Sequence, residues 1–300
     1  MSLSEGIVYS QEEPDWGCQI GSNGTELNWQ NRQSSIATQG VIRKRCIVIL
    51  CKYVGETNVW DPLNFNGGHS MHQYLSSTYS TSFRNYFADM SHNEHILESR
   101  IDGQSDIIKW YEISIGSPES TERIIKEAMR SVDKDTNRGW HWSDYDLDGN
   151  YVTDQVMVIP SPQMENYGST VSFNNTISST TEPGMTVGGY VPITRGKEWW
   201  DFLVANMGHE YGHVLGLPEL YDRYWTGPAD YSAGVGWFCI MAHGMYNRAL
   251  MSCWGRAKLG WVDVVDITTS SSGYIFQPIQ AYRFRFFGEE RIGFSWLTYF

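Results

Sequence analysis

The sequence predicts an α/β fold, a twisted mixed sheet backed by helices, from three observations. Val41–Val54 (VIRKRCIVILCKYV) is a continuous run rich in β-branched residues that is too short for a typical helix, so it predicts a buried strand. Segments with helical spacing then alternate with strand-like segments along the chain. After Trp261 the pattern changes, and apolar side chains fall at every second position, as is typical of strands.

The elements after the first strand follow in a regular order. We expect helices around His69–Leu75 and Ser82–Met90, a strand at Asp106–Ile115, a helix from Ser117-Pro118-Glu119 to about Val132, and a strand at Asp154–Ile159. The serine and proline suit the N-cap and the first turn of that helix. The stretch from there to residue 196 is rich in Gly, Ser, Thr and Asn and predicts a long, functional loop. Helices at Lys197–Leu215 and near Ala249–Leu259 complete the series.

Three parts of the chain follow from this order. Residues 1–40 are polar and turn-rich, which predicts a leader or pro-like segment. Residues 41–261 hold the alternating elements and form the main domain. Residues 262–300 form a small β unit, and because its strand-like pattern reaches Phe300, we expect it to be truncated from a longer protein.

Composition excludes some classes of function. The 300 residues are 41% hydrophobic, which is enough to bury a core, and the net charge of −12 with scattered Lys and Arg argues against a nucleic-acid partner. No apolar run is long enough to span a membrane, and the N-terminus lacks the features of a signal peptide. The five cysteines form no CxxC pair, so they do not identify a redox compartment.

The segment MGHEYGHVLGLPELYD (207–222) carries the chemistry. His209 and His213 lie one helical turn apart, so both imidazoles can bind one cation, and an HExxH helix of this kind is typical of zinc peptidases. Glu210 lies beside them and suits a general base that acts on water. The alternative is a helix with two ordinary histidines.

A third ligand is expected after a sharp turn. Gly216 can end the helix in a left-handed conformation, and Pro218 prevents the helix from resuming. Glu219 then lies where metzincins (HExxHxxGxxH) place their third ligand. Asp222 is the nearest rival and Asp230 a more distant one, because a carboxylate oxygen suits zinc at either position.

Three segments together resemble the immune inhibitor A family of secreted metallopeptidases: HEYGHVLGLPELYD, GVGWFCIMAHG (234–244) and WGRAKLGWV (254–262). The resemblance extends from about Ile47 to the C-terminus and implies a metzincin-like metallopeptidase with an active-site helix and a C-terminal β appendage. It also implies a Met-turn subdomain, in which Met241 lies beneath the zinc, although a core methionine is the plainer interpretation. Residues 41–261 are then the catalytic domain.

The sequence departs from the family pattern near the site. Glu219 replaces the usual aspartate, which lengthens the side chain by one methylene, and Phe238-Cys239-Ile240 replaces Asp-Leu. His243 lies two residues after Met241, where some metzincins carry a tyrosine that polarises the substrate carbonyl. It is a candidate oxyanion stabiliser, with an ordinary loop histidine as the alternative.

A second metal site is predicted in DYDLDGNYVTD (144–154). Carboxylates at alternate positions before Gly149 suit calcium, and the family carries a similar segment, which implies calcium binding. The EF-hand pattern is incomplete at its end, and an acidic turn is the alternative. The candidate ligands are Asp144, Asp146, Asp148 and Asp154.

The sequence therefore predicts a secreted zinc-dependent endopeptidase that acts on protein or peptide substrates, with structural calcium. Zinc would be bound by two histidines and a carboxylate, with Glu210 as the base. The alternative is a catalytically silent binding or adhesion module for polysaccharide or a host protein, in which the zinc is structural.

Overall fold

The computed structural model describes residues 41–64, 70–75, 82–99, 109–114, 120–161, 164, 170–194, 200–222, 232–246, 249–262, 281–286 and 289–294. The predicted leader, residues 1–40, lies outside the described residues. The chain divides into two compact units, Met1–Trp261 and Val262–Phe300. Among the described residues, no helix is both long and apolar enough to cross a membrane.

One mostly parallel sheet forms the centre of the first unit. Its strands are β1 (Ile42–Tyr53), β2 (His95–Glu98), β3 (Tyr111–Ile113), β4 (Gln155–Pro160), β5 (Thr170–Ser178) and β6 (Thr186–Ile193). The order is β2-β1-β4-β6-β5, and β3 pairs with the C-terminal end of β1. Among the described strands of this sheet, only β5 runs antiparallel to its neighbour. The predicted α/β class with a mixed sheet is confirmed.

Five α-helices are described with this sheet: α1 (Met71–Leu75), α2 (Phe83–Met90), α3 (Thr121–Asp133), α4 (Trp200–Val214) and α5 (Cys253–Lys258). The N-caps of α2, α3 and α5 are serines whose hydroxyls accept a hydrogen bond from a backbone N–H in the first turn. Short 3-10 helices occupy Trp142–Tyr145, Gly236–Phe238 and His243–Tyr246.

The sheet is covered on both faces, which explains why the buried middle of β1, residues 46–51, and most of β4 are apolar. Ile47, Ile49 and Cys51 of β1 belong to one buried cluster with the apolar residues of α3. Val48 and Leu50 are also buried and point to the opposite face, because side chains alternate along a strand. The core therefore fixes the centre of the sheet from two sides.

The helix with the HExxH motif, α4, packs against α2 and β2. Tyr211 of α4 is fully buried, contacts Phe83 and Phe87 of α2 edge-on, and shares a 2.8 Å hydrogen bond with Nε2 of His95 in β2. Burial lowers the pKa of His95 to about 3, with a smaller effect of Lys44, so the ring is neutral. The face of α4 opposite its two motif histidines is thus anchored.

Several predicted boundaries are wrong. The long loop predicted between β4 and α4 contains the β5–β6 hairpin, in which Val171, Ile177, Val187 and Val191 are buried. Helix α3 begins after Ser120 rather than after Ser117-Pro118, because the Ser120 hydroxyl caps Arg123 N–H. The four-residue strand β2 was not predicted, and β3 and α5 are shorter than expected.

The second unit contains an antiparallel hairpin of β7 (Ala281–Phe286) and β8 (Glu289–Phe294). Both strands lie in the part of the chain after Trp261 where apolar side chains alternate, as predicted. Residues 263–280 of this part lie outside the described residues.

Candidate metal centre

Helix α4 ends at the turn that the sequence predicts. Gly216 has a φ of 89°, which an L-residue with a side chain rarely adopts. The N–H of Leu217 donates to the carbonyl of Gly212 at 2.9 Å, and the N–H of Gly216 donates to that of His213 at 2.8 Å. These two bonds form a Schellman motif, which reverses the chain immediately after the second histidine.

Both histidines are oriented by main-chain carbonyls. Nδ1 of His209 donates to the carbonyl of Ile240, and Nδ1 of His213 donates to the carbonyl of Leu217, each at 2.7 Å. A carbonyl can only accept, so the proton of each neutral ring is on Nδ1. Each Nε2 is therefore left with a lone pair, and the two Nε2 atoms face each other at 3.2 Å.

The Glu219 carboxylate completes a group of three acceptors. Its Oε2 lies 3.2 Å from Nε2 of His209, and its Oε1 lies 3.3 Å from Nε2 of His213. The side chain is 5% exposed, and its buried Oε2 has no hydrogen-bond partner despite the short distance. Three buried acceptors that converge in this way favour a positive charge among them, so the group could hold a metal ion.

The distances in this group fit zinc. A tetrahedral ion with bonds of about 2.0–2.1 Å separates its ligand atoms by about 3.3 Å. The two Nε2 atoms lie 3.2 Å apart, and each lies 3.2 or 3.3 Å from a different oxygen of Glu219, which is close to that value. Two imidazole nitrogens and one carboxylate oxygen are also a combination of ligand atoms that binds zinc in proteins. The residues present therefore fit a zinc ion.

The electrostatics of the group also favour a positive charge. Burial works to lower the pKa of His209, but the Glu219 carboxylate and the charge of Glu210 outweigh it and raise the pKa to about 9. Burial works to raise the pKa of Glu219, but the two histidines outweigh it and hold the pKa well below its usual range. Glu219 is thus ionised, as a metal ligand must be.

Two glycines on α4 let a second segment approach the helix backbone. A Cβ at Gly208 would lie 2.7 Å from Cδ1 of Ile240, and a Cβ at Gly212 would overlap the sulfur of Met241. Met241 is buried and its side chain packs at Gly212, next in sequence to His213. This close approach brings the Ile240 carbonyl within reach of the His209 ring.

The loop after α4 that carries Glu219, residues 215–222, is held from two directions, and we call it the ligand loop. The N–H of Leu220 donates to the carbonyl of Met241 at 2.8 Å, and the carbonyl of Leu220 accepts from the N–H of Val235 at 3.0 Å. A Cβ at Gly234 would overlap that carbonyl oxygen, so only glycine allows the contact. Leu220 is fixed on both sides, and Glu219 is fixed with it.

The remaining predicted site residues are not part of this three-residue group. Glu210 is 2% exposed and precedes Tyr211 on α4. Asp222 is not part of the described three-residue group, and its N–H donates to the carbonyl of Ser232 at 3.0 Å. Asp230 lies outside the described residues. His243 is partly buried, with ring contacts to Tyr221 and Trp237.

Tyr221 was not singled out from the sequence. Its ring centroid lies 6.4 Å from that of His209 and 5.8 Å from that of His243. It therefore links the metal group to the His243 ring. The segment LPELYD (217–222) could have pointed to Tyr221, because a residue two positions after a candidate ligand on a tight loop lies near the candidate site.

The predicted calcium loop is closed by its own backbone. Asp146 accepts the N–H groups of Asn150 and Tyr151, Asp148 accepts the N–H of Asn150, and Asp154 accepts those of Arg45 and Leu147. The fourth candidate, Asp144, accepts the N–H of His141. Within the described part of the chain, these carboxylates do not form a three-ligand group. Calcium binding stays a prediction.

Comparison of the chain with protein-family models and with curated proteins gave no match. The likeness to the immune inhibitor A family therefore stays a resemblance of motifs.

Proposed function

We propose that this protein is a zinc-dependent endopeptidase. The observation that carries the proposal is the convergence of three buried acceptors, with both Nδ1 atoms already engaged and a glutamate beside them on the same helix. His209, His213 and Glu219 would hold the ion. When bound, zinc would polarise the scissile carbonyl and lower the pKa of water in the site toward neutrality.

The number of protein ligands supports a catalytic rather than a structural ion. Structural zinc sites are closed by four protein ligands, whereas catalytic sites have three and keep one position open. The group within the described residues has three. It also has Glu210, which a purely structural site does not need.

Glu210 is the proposed general base and acid. Its carboxylate lies one residue after His209 and is buried, so little bulk water competes for its proton. It accepts a proton from the attacking water and delivers that proton to the nitrogen of the leaving amine. The same carboxyl group thus serves both steps and returns to its starting state.

His243 is the proposed oxyanion stabiliser. Its ring is packed between Tyr221 and Trp237, with centroid distances of 5.8 and 5.7 Å, which limits its rotation. A donor fixed in advance costs no reorganisation when charge develops on the carbonyl oxygen. A His243→Ala variant that keeps kcat/KM within a few fold of the parent would exclude this role.

The substrate class and place of action belong to the same proposal. Protein or peptide substrates follow from the HExxH chemistry, and secretion follows only from the resemblance to a secreted family. Structural calcium in residues 144–154 is likewise part of the proposal.

The test is cleavage of casein by zinc-loaded protein beside a Glu210→Gln variant with the same measured zinc content. Cleavage by the parent alone supports the endopeptidase, because the variant keeps the three ligands and loses only the base. Equal inactivity, together with tight binding of polysaccharide or protein, supports the binding or adhesion module with structural zinc.

A further inference from the structure

Three exposed apolar side chains lie within four residues of one another beside the candidate metal centre. Val235 is 42% exposed, Trp237 55% and Phe238 87%, the highest value among the large hydrophobic residues that the structure describes. We call these three residues the apolar patch. Such a concentration of exposed apolar surface is typical of a binding site rather than of a solvated loop.

The apolar patch is fixed to the metal-ligand loop. Val235 N–H donates to the Leu220 carbonyl, and Gly234 packs directly on that carbonyl. Leu220 follows the ligand Glu219 in sequence. The patch therefore cannot move away from the ligands without breaking the contacts that hold the loop.

A series of ring contacts connects the apolar patch with the metal group. The Trp237 ring lies 5.7 Å from the His243 ring, His243 lies 5.8 Å from Tyr221, and Tyr221 lies 6.4 Å from His209, centroid to centroid. Each step is a distance between neighbouring aromatic rings. The patch thus borders the proposed site of cleavage.

The chemistry of the segment restricts what it can bind. Residues 234–241 (GVGWFCIM) contain no charged side chain. A charged group placed there would lose its hydration without gaining a partner, whereas an apolar group would bury surface on both sides. The surface selects a large apolar side chain.

We propose that the apolar patch is a binding site for a large apolar side chain of the substrate, close to the scissile bond. This inference rests on the proposed function, since it makes the occupant part of the cleaved peptide. Phe238 is the most exposed of the three side chains, and Trp237 forms the side of the site nearest His243.

Binding is measured by calorimetry on the zinc-loaded Glu210→Gln protein, so that cleavage does not interfere. The probes are blocked hexapeptides of alanine and glycine with a single phenylalanine, placed at each position in turn, and the same peptides without it. The expected result is that at least one phenylalanine peptide binds about tenfold more tightly than its alanine counterpart.

Variants locate this preference. The ratio compared is the affinity for the phenylalanine peptide over that for its alanine counterpart. Phe238→Ala should reduce this ratio to about one, while Phe238→Leu, which keeps an apolar surface, should retain most of it. Trp254→Ala is a matched control, since Trp254 is another exposed aromatic residue, 46% exposed, on α5. It should leave the ratio unchanged.

Equal binding of phenylalanine and alanine peptides at every position would overturn the inference, as would a ratio that persists in Phe238→Ala. The two proposals fail separately. If the Glu210→Gln variant prefers phenylalanine peptides but the parent protein cleaves no peptide, the proposed endopeptidase function is refuted. If the parent cleaves peptides but the variant shows no such preference, only the proposed apolar binding site is refuted.

Discussion

Glu219 and the two imidazoles of α4 form a group of acceptors with no donor among them. Each neutral imidazole gives its ring proton to a main-chain carbonyl, so neither can satisfy the carboxylate. Such a buried group is stable only with a positive charge among its atoms. A proton supplies one charge to one or two of them, whereas zinc supplies two charges and contacts all three.

Substitution of single carboxylates tests which acid is the ligand. Glu219→Gln should reduce zinc affinity by more than about 100-fold, because loss of even an outer partner of a ligand costs about 10- to 100-fold. Asp222→Asn should retain the parent affinity. Competition titration with a zinc chelator measures both. Loss of zinc from the Asp222 variant alone would assign the third ligand to Asp222.

His95 makes the stability of the fold dependent on pH. Its folded pKa of about 3 lies below the unfolded value of about 6.5, so between these values only the unfolded chain binds the proton. The contribution of the neutral His95 ring to the free energy of unfolding is fully present above pH 6.5. It is lost as the pH falls, so the free energy of unfolding decreases by about 2 kcal/mol between pH 7.5 and 5. Urea unfolding at both pH values measures it.

A matched pair of variants isolates this contribution. His95→Gln should reduce the loss between the two pH values, because no buried imidazole remains. His92→Asn should keep the loss, since His92 is exposed and asparagine tolerates its left-handed backbone, φ 53°. Equal losses in the parent and in His95→Gln would refute the role of His95.

The three residues of the candidate metal centre could be predicted from sequence, but the groups that orient them could not. His209 and His213 follow from helical spacing, and Glu219 follows from the turn at Gly216. Their partners are the main-chain carbonyls of Ile240 and Leu217, which every residue type has, so no sequence pattern identifies them. Gly208 and Gly212 can be recognised in the sequence, but the sequence does not show that the segment with Ile240 and Met241 packs against them.

Among the elements, those with long uniform patterns were predicted and those that depend on pairing were not. The strand β1 has an uninterrupted apolar run at residues 46–51 and α4 is marked by its motif, so both stand out. The hairpin of β5 and β6 is rich in Ser, Asn and Gly and has a register shift between Ser172 and Asn175, which interrupts the alternation. Its strand β6 pairs with β4, a long-range contact that a local pattern does not show.

The segment that carries Gly234 is predicted to hold the ligand loop. Gly234→Ala should lower zinc affinity at least about tenfold, because the new Cβ displaces the Leu220 carbonyl and with it Glu219. Gly236→Ala is the control, since Gly236 has a similar φ, 59° against 55°, but open space at its Cβ. Similar zinc affinities in the two variants would contradict this role for the Leu220 contact.

The thermal stability of the whole molecule tests the predicted calcium loop. Millimolar calcium should raise Tm by a few degrees, because a ligand that binds only the folded state stabilises it. The rise should disappear in Asp146→Asn/Asp148→Asn, while zinc content stays unchanged. Absence of a shift in the parent protein would leave residues 144–154 as an acidic turn closed by its backbone hydrogen bonds.

The whole account depends on an ion at the junction between the end of α4, the ligand loop and the segment around Met241. The first two parts are contiguous in the chain, and the segment around Met241 reaches them because the chain folds back onto α4. The most direct measurement is an anomalous difference map from crystals of the zinc-loaded protein, recorded at the zinc absorption edge. The account predicts one strong peak bonded to Nε2 of His209, Nε2 of His213 and a Glu219 oxygen. A map with no peak there, and with the carboxylate turned away from both imidazoles, would contradict it.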